Sequence, residues 1–290
     1  MSDPAEQADD LVAKAEKKLK GGMFGNLFGS KKEEAVDLLE EAANKYKQVK
    51  RWQKCGDTHS KRASLQMELN DKFGAGQSYQ AAFQAYKKEP ECNKEAIEAL
   101  NACIELHINN GRFTQAAKQH KEAGDMFEAE LNYKQAIHHF KTAADYYKTE
   151  DQTSSANQCF KKVGTLAAEM EDYQTAIEVY EAVAAASLEV ALLKWGAKDH
   201  FFQAGLYHLA SGDYIGARKA VERYQEQDVS FADTRECKLL VSLLDACDDA
   251  DLDMFTEAVA EYDEVSKLDK WNTTVLLRIK NKVKDTDALM

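Results

Sequence analysis

Apolar residues recur along this chain at helical spacing, and polar turns interrupt them at a nearly fixed interval. Phe113-Thr-Gln-Ala116, Tyr133-Lys-Gln-Ala136-Ile137 and Tyr173-Gln-Thr-Ala176-Ile177 each set an aromatic residue three places before an alanine. The first two segments start 20 residues apart and the last two 40. Extended in both directions, the interval lands on a small residue at Gly56, Gly76, Ala96, Ala116, Ala136, Ala156, Ala176, Gly196 and Gly216. A unit of that length holds one helix of roughly four turns, at about 1.5 Å per residue, and a short connection. Two units make an antiparallel hairpin of about 40 residues, and a single hairpin cannot bury its own apolar faces, so hairpins must stack. The small residues are expected at helix crossings, with Phe140, Phe160 and Tyr180, one turn further on, filling the groove beside them.

The same pattern places the elements. Residues 6–20 read as a short amphipathic helix with a basic last turn. Four glycines then make 21–29 a poor helix, so Met23, Phe24, Leu27 and Phe28 are expected in a loop, with a helix resuming near Glu33. Turns are expected at Asn70-Asp71, Glu89-Pro90, Asn109-Asn110-Gly111, Glu150-Asp151 and Glu171-Asp172. Beyond Leu188 the pattern loosens. A soft boundary near residue 195 separates a hairpin array over 1–195, with its apolar loop at 21–32, from a C-terminal helical bundle over 196–290 that ends in an acidic patch and a flexible tail.

Composition sharpens this reading. The chain has 290 residues and 2 prolines, Pro4 and Pro90, so the last two hundred positions hold no proline to break a helix. With 30% charged and 44% hydrophobic residues, the fold class is all-α. Apolar runs are too short to span a bilayer, and acidic residues precede any apolar run at the N-terminus, against a secretion signal. Six cysteines without a CxxC pair fit a reducing, cytoplasmic setting.

Charge is distributed unevenly. The net charge is −12, and Asp245–Lys270 alone carries 10 acids and 2 bases. Two charge-selective surfaces, or simply a solvated acidic face, account for this equally well. Around the glycine-rich loop, Lys17, Lys18 and Lys20 stand before it and Lys31 and Lys32 after it. Large apolar tips in a basic collar match shallow insertion into a lipid surface. The alternative is a loop folded back onto its neighbouring helices.

No nucleophile with a base, GxGxxG, P-loop or HExxH occurs. Cys55 and His59 lie one turn apart, but two ligands do not make a zinc site; a core cysteine and a surface histidine are expected there. His138 and His139 point to different faces of a helix, and Asp248–Asp253 lacks the glycine and glutamate of a calcium loop. No enzyme, metal or cofactor is expected, and no nucleic acid. A helical array without such groups is usually a binding surface.

Several segments carry a resemblance. Met23-Phe-Gly-Asn-Leu-Phe-Gly29, Gly111-Arg-Phe-Thr-Gln-Ala-Ala-Lys118, Ala144-Asp-Tyr-Tyr-Lys148, Ser154-Ser-Ala-Asn157, Ala197-Lys-Asp-His-Phe-Phe202, Arg235-Glu-Cys-Lys-Leu239 and Leu268-Asp-Lys-Trp-Asn272 with the run on to Lys280 closely resemble the soluble NSF attachment proteins of the alpha/beta type. The resemblance covers essentially the whole chain. It implies a TPR-like, right-handed solenoid of antiparallel helix hairpins with a C-terminal helical bundle. It also implies an adaptor, monomeric alone, that works at the membrane periphery. Several copies coat the SNARE four-helix bundle and recruit the hexameric ATPase NSF, which pulls the bundle apart in vesicle-mediated transport. A generic helical scaffold for a peptide is the alternative.

The resemblance assigns roles only where residues match. Lys50, Lys87, Lys88, Arg112, Lys118, Lys162, Lys194 and Lys198, with Leu192 and Trp195 as apolar contacts, match positions that grip the acidic SNARE surface. Gln158 stands where animal members carry a lysine. Asp245, Asp248 and Asp249, with Asp213, match the surface for the basic N-domains of NSF. Leu289 occupies the penultimate place that the family uses to stimulate the ATPase. Met23, Phe24, Leu27 and Phe28 match the membrane-contacting loop.

Overall fold

The computed structural model describes residues 3–20 and 27–287, the side chains of 27–29 and 285–287 excepted. Among these residues there are fourteen α-helices, three short 3-10 turns and no strand. The chain falls into two compact units, Met1–Ala123 and Gly124–Met290. The first holds α1 (Pro4–Lys20), α2 (Leu27–Gln48), α3 (Trp52–Glu68), α4 (Lys72–Tyr86), α5 (Asn93–Asn109) and the start of α6 (Phe113–Ala129). In the second follow α7 (Tyr133–Thr149), α8 (Thr153–Glu169), α9 (Tyr173–Leu188), α10 (Ala197–Ser211), α11 (Tyr214–Gln227), α12 (Arg235–Asp248), α13 (Leu252–Val265) and α14 (Lys270–Asp287). Consecutive helices from α1 to α5 lie side by side, as do those from α7 to α10. Connections this short force antiparallel hairpins.

The helix turns explain the interval. Lys50, Asn70, Leu131, Asp151 and Glu171 adopt left-handed backbone, with φ of 57°, 60°, 59°, 55° and 62°, as does Gly111 at 67°. Each closes its helix in the same way. At Asn70 the amide bonds the Met67 carbonyl and the next amide, of Asp71, reaches back to Gln66 at 2.8 Å. This paired closure satisfies the carbonyls left open at a helix end. The following residue then starts the next helix: Asp71, Asn132 and Asp172 accept from the backbone amides of Gly74, Gln135 and Thr175. One turn therefore both stops and starts a helix, and all the expected turns are present. Between α4 and α5 a 3-10 turn at Pro90–Cys92 takes its place.

The ruler of small residues has meaning only up to α9. Ala96, Ala116, Ala136 and Ala176 have no exposed surface, Ala156 has 3%, and Gly56 and Gly76 are buried in α3 and α4. Gly196 and Gly216 fit the count but not the expectation. Nothing stands within 4 Å of a Cβ on Gly196, and on Gly216 it would meet only the capping carboxylate of Asp213. The large rings also differ from expectation. Phe140 and Tyr180 lie on glycines of the preceding helix, Gly124 and Gly164, where an added Cβ would come within 2.8 and 2.6 Å.

Two further expectations are corrected. Leu27 and Phe28 lie in the first turn of α2 rather than in a loop, because Leu27 to Glu34 contains enough good helix formers to carry Gly29 within the helix. Met23 and Phe24 lie outside the described residues. His59, expected at the surface, is 8% exposed. Its spacing from Trp52 and Cys55 turns it inward between α3 and α4.

In the second unit one core runs from Ala167 to Val283 and includes Phe201, Tyr207, Tyr224, Leu240 and Ile279. It passes through residue 195 without interruption. Beyond that point the helices pack differently. There α10 touches α9, α11, α12 and α14, so the last helices surround one another instead of stacking in series. Polar bonds lock α14 in place. Trp271 donates to the Tyr207 hydroxyl at 2.9 Å, and the Arg278 guanidinium donates to the Ala168 carbonyl at 2.9 Å. No helix among the described residues is long and apolar enough to cross a membrane.

Candidate functional site

In the first unit the expected cations gather at the two ends of α4. Lys87 and Lys88 follow its last turn, and the Lys88 ammonium stands 3.9 Å from the centre of the Trp52 ring. Trp52 opens α3, so the turn residue Lys50 belongs to the same end of the hairpin. Lys87 lies over Phe83 at 5.6 Å. At the other end of α4, about 20 Å away by helix rise, the Arg112 guanidinium stacks 4.4 Å over Phe73, which is 52% exposed. Cations held on aromatic faces keep their charge and lose side-chain freedom. Lys118 is exposed on α6.

In the second unit the expected residues differ in how occupied they are. Lys162 of α8 bonds both carboxylate oxygens of Glu128 at 2.7 and 2.8 Å. Lys198 bonds Glu236 at 2.8 Å. Lys194 and Trp195 sit in the 3-10 turn between α9 and α10, with Leu192 two residues before Lys194; Leu192 and Trp195 are 92% and 88% exposed. Two large apolar side chains are thus left bare of the core beside Lys194.

The acidic residues come together through the α11–α12 pair. Asp213 caps the start of α11 and accepts from the Gly216 amide at 2.9 Å. Antiparallel packing brings the end of α12 alongside. There Arg218 of α11 donates to Asp245 at 2.9 Å and to Asp248 at 2.6 Å. The carboxylates of Asp248 and then Asp245 raise the Arg218 pKa, so the guanidinium stays charged. Tyr214 is pushed up to about 12, by burial first and then by Cys247 and Asp248. Asp249 is exposed, and Asp251 caps α13 by accepting from Asp253 and Met254. At this same end Lys282 of α14 donates to the Ala210 carbonyl at 2.5 Å, two residues before the α10–α11 turn. The last turns of α14 thus lie beside the acidic end; Leu289 falls outside the described residues.

The basic collar is built by α1 and α2. Lys14, Lys17 and Lys18 meet Lys31 around a hollow of about 380 Å³ lined also by Leu38. Lys18 pairs with Glu34, and Lys32 with Glu68 at 2.7 Å. Sequence reasoning did not single out Arg218, Trp52 or Phe73. The aromatic residues were readable as helix starts, but which cation sits on which ring depends on how hairpins pair. Cys55, considered as a metal ligand, instead donates its thiol to the Ala43 carbonyl.

The family model described as "Soluble NSF attachment protein, SNAP" matches residues 6–284. An alpha-soluble NSF attachment protein of Vitis vinifera is 43% identical over 284 residues, covering 98% of this chain and 96% of that protein. That of Mus musculus is 43% identical over 291 residues, covering 98% and 97%. A probable vesicular-fusion protein sec17 homolog of Schizosaccharomyces pombe is 38% identical, covering 96% and 97%. Among solved structures, a signal-transduction ATPase with a tetratricopeptide repeat sensor from Pyrococcus horikoshii matches 96% of this chain and 44% of that one. Its TM-score is 0.51 at 14% identity, a likeness of helical-repeat fold alone.

Proposed function

The chain belongs to the soluble NSF attachment protein family, and from that premise we propose that it is an adaptor of vesicle fusion, which binds assembled SNARE bundles and brings the NSF ATPase to them. Its lysines and Arg112 meet the acidic bundle, with Leu192 and Trp195 as apolar contacts. The acidic end of α11 and α12 receives the basic N-domains of the ATPase. The observation that carries this reading is the placement of α14. Its last turns are tied to the end of α10 by Lys282, so the described end of α14 lies at the end of the bundle where Asp213 caps α11 and Arg218 holds Asp245 and Asp248. A charged docking surface and a chain end that acts on the docked ATPase belong at one place. The Met23–Phe28 segment, between the cationic ends of α1 and α2, adds contact with a membrane surface.

Reconstituted SNARE disassembly by NSF tests the reading. The chain is expected to support disassembly. Lys118→Glu with Lys162→Glu should abolish capture of the bundle at physiological salt, and Leu289→Ala should keep capture while losing ATPase stimulation. A chain that captures no bundle and leaves the ATPase unstimulated would instead be a generic peptide scaffold.

A further inference from the structure

Between α3 and α4 of the first unit runs a groove of about 470 Å³. Trp52 and His59 line it from α3 and Gln77, Gln80 and Lys88 from α4, while Lys47 of α2 closes one side. His59 lies at its base. It is 8% exposed, yet its Nδ1 atom has no hydrogen-bond partner among the described residues. Burial first, then Arg62 and Lys47, hold this imidazole neutral with a pKa of about 4. Buried polar atoms are nearly always paired, so an unpaired imidazole nitrogen closed off just beneath an open groove leaves one hydrogen bond to be made if the ring turns toward that groove.

The rim tells which group. Lys47 and Lys88 supply two positive charges, and among the described residues no Asp or Glu lines the groove. The Lys88 ammonium is held over the Trp52 ring at 3.9 Å, so it is positioned before any partner arrives. Gln77 and Gln80 add amides along one stripe of α4; a third, Gln84, is already turned to Glu122 at 2.8 Å. The indole offers a flat apolar wall for methylene groups.

We propose that this groove takes a single Asp or Glu side chain of a helical partner, its carboxylate held between Lys47 and Lys88, its stem against Trp52, and a hydrogen bond donated to it by His59 Nδ1 once the imidazole turns toward the groove. The proposal rests on the adaptor reading, since the acidic SNARE bundle is the helical partner in question, and it gives that contact a pocket in addition to surface charge. A paired, partly desolvated carboxylate contributes specificity that rim charges alone do not.

Nitrogen-15 histidine spectra of the full chain, with and without the SNARE bundle, test it on the unaltered protein, the His59 signal being identified by its loss in His59→Gln. The bundle is expected to move the Nδ1 signal from its unpaired position. Trp52→Ala and Lys47→Ala, each checked for an unchanged melting curve, are expected to weaken bundle binding about tenfold. A bundle that binds while the His59 signal stays in place and both variants bind normally overturns the pocket and leaves the adaptor reading standing. Absence of any bundle binding by the unaltered chain removes the adaptor reading and the pocket with it.

Discussion

A Cβ placed on Gly164 would stand 2.6 Å from the ring of Tyr180, on the next helix of the same hairpin. Gly124 and Phe140 repeat this relationship at 2.8 Å. In each case the flat ring lies directly on bare backbone, and the hairpin closes to that distance. Gly164→Ala is therefore expected to destabilise the protein by about 1–3 kcal/mol, since a buried ring cannot move aside without disturbing its own neighbours. Gly196→Ala meets nothing within 4 Å, and is expected to be neutral or to stabilise by up to about 1 kcal/mol. Urea unfolding of the two variants measures both, and equal effects would contradict this account of the packing.

Leu131 occupies a turn position with φ of 59° while 71% exposed. Its side chain gains little from burial, and a left-handed backbone costs a bulky residue about 1–2 kcal/mol. Leu131→Gly is expected to raise stability by about 0.5 kcal/mol after the added flexibility of the unfolded chain is subtracted. A lower melting temperature would show that Leu131 makes a contact worth more than its strain.

Burial is the main cause that holds His59, His139 and His200 at pKa values of about 4. In the unfolded chain each would titrate near 6.5. The unfolded state therefore binds the proton first as pH falls, so stability is complete above about 6.5, is lost down to about 4, and falls no further below that. For His59 the loss at pH 5 is about 1–2 kcal/mol. Unfolding free energies at pH 7 and pH 5 should differ less in His59→Gln than in the unaltered chain.

Arg218 holds Asp245 and Asp248 at 2.9 and 2.6 Å, so two of the acids proposed to meet the ATPase are already paired. Both sides of these pairs are more than two-fifths exposed, so they add little to folding. Arg218→Gln is expected to leave the melting temperature within about a degree. It should also tighten binding of the ATPase N-domain a few-fold at low salt, with a steeper salt dependence. Weaker binding would mean that Arg218 aligns the acids for the partner instead of competing for them.

How much was legible before the structure depends on the range of the interaction. Turns at Asn70-Asp71 and Glu171-Asp172 were readable because one local motif ends a helix and caps the next. Gly196 and Gly216 misled because a count of residues cannot tell a glycine under a ring from one in open space or one beside its own cap. Leu27 and Phe28 were placed in a loop by their glycine neighbours, although the long run of helix formers behind them prevails.

By itself the sequence determined that this chain is helical, that its helices pair as short-turned hairpins, and that its acids concentrate in one late segment, since spacing, propensity and charge are carried by neighbours along the chain. Only the tertiary structure decided that Phe140 and Tyr180 lie on Gly124 and Gly164, that Asp213 shares an end with Asp245 and Asp248, and that His59 turns inward. Those outcomes depend on which surfaces meet across distant segments, and shape complementarity between packed helices, unlike periodicity, has no signature in the order of residues.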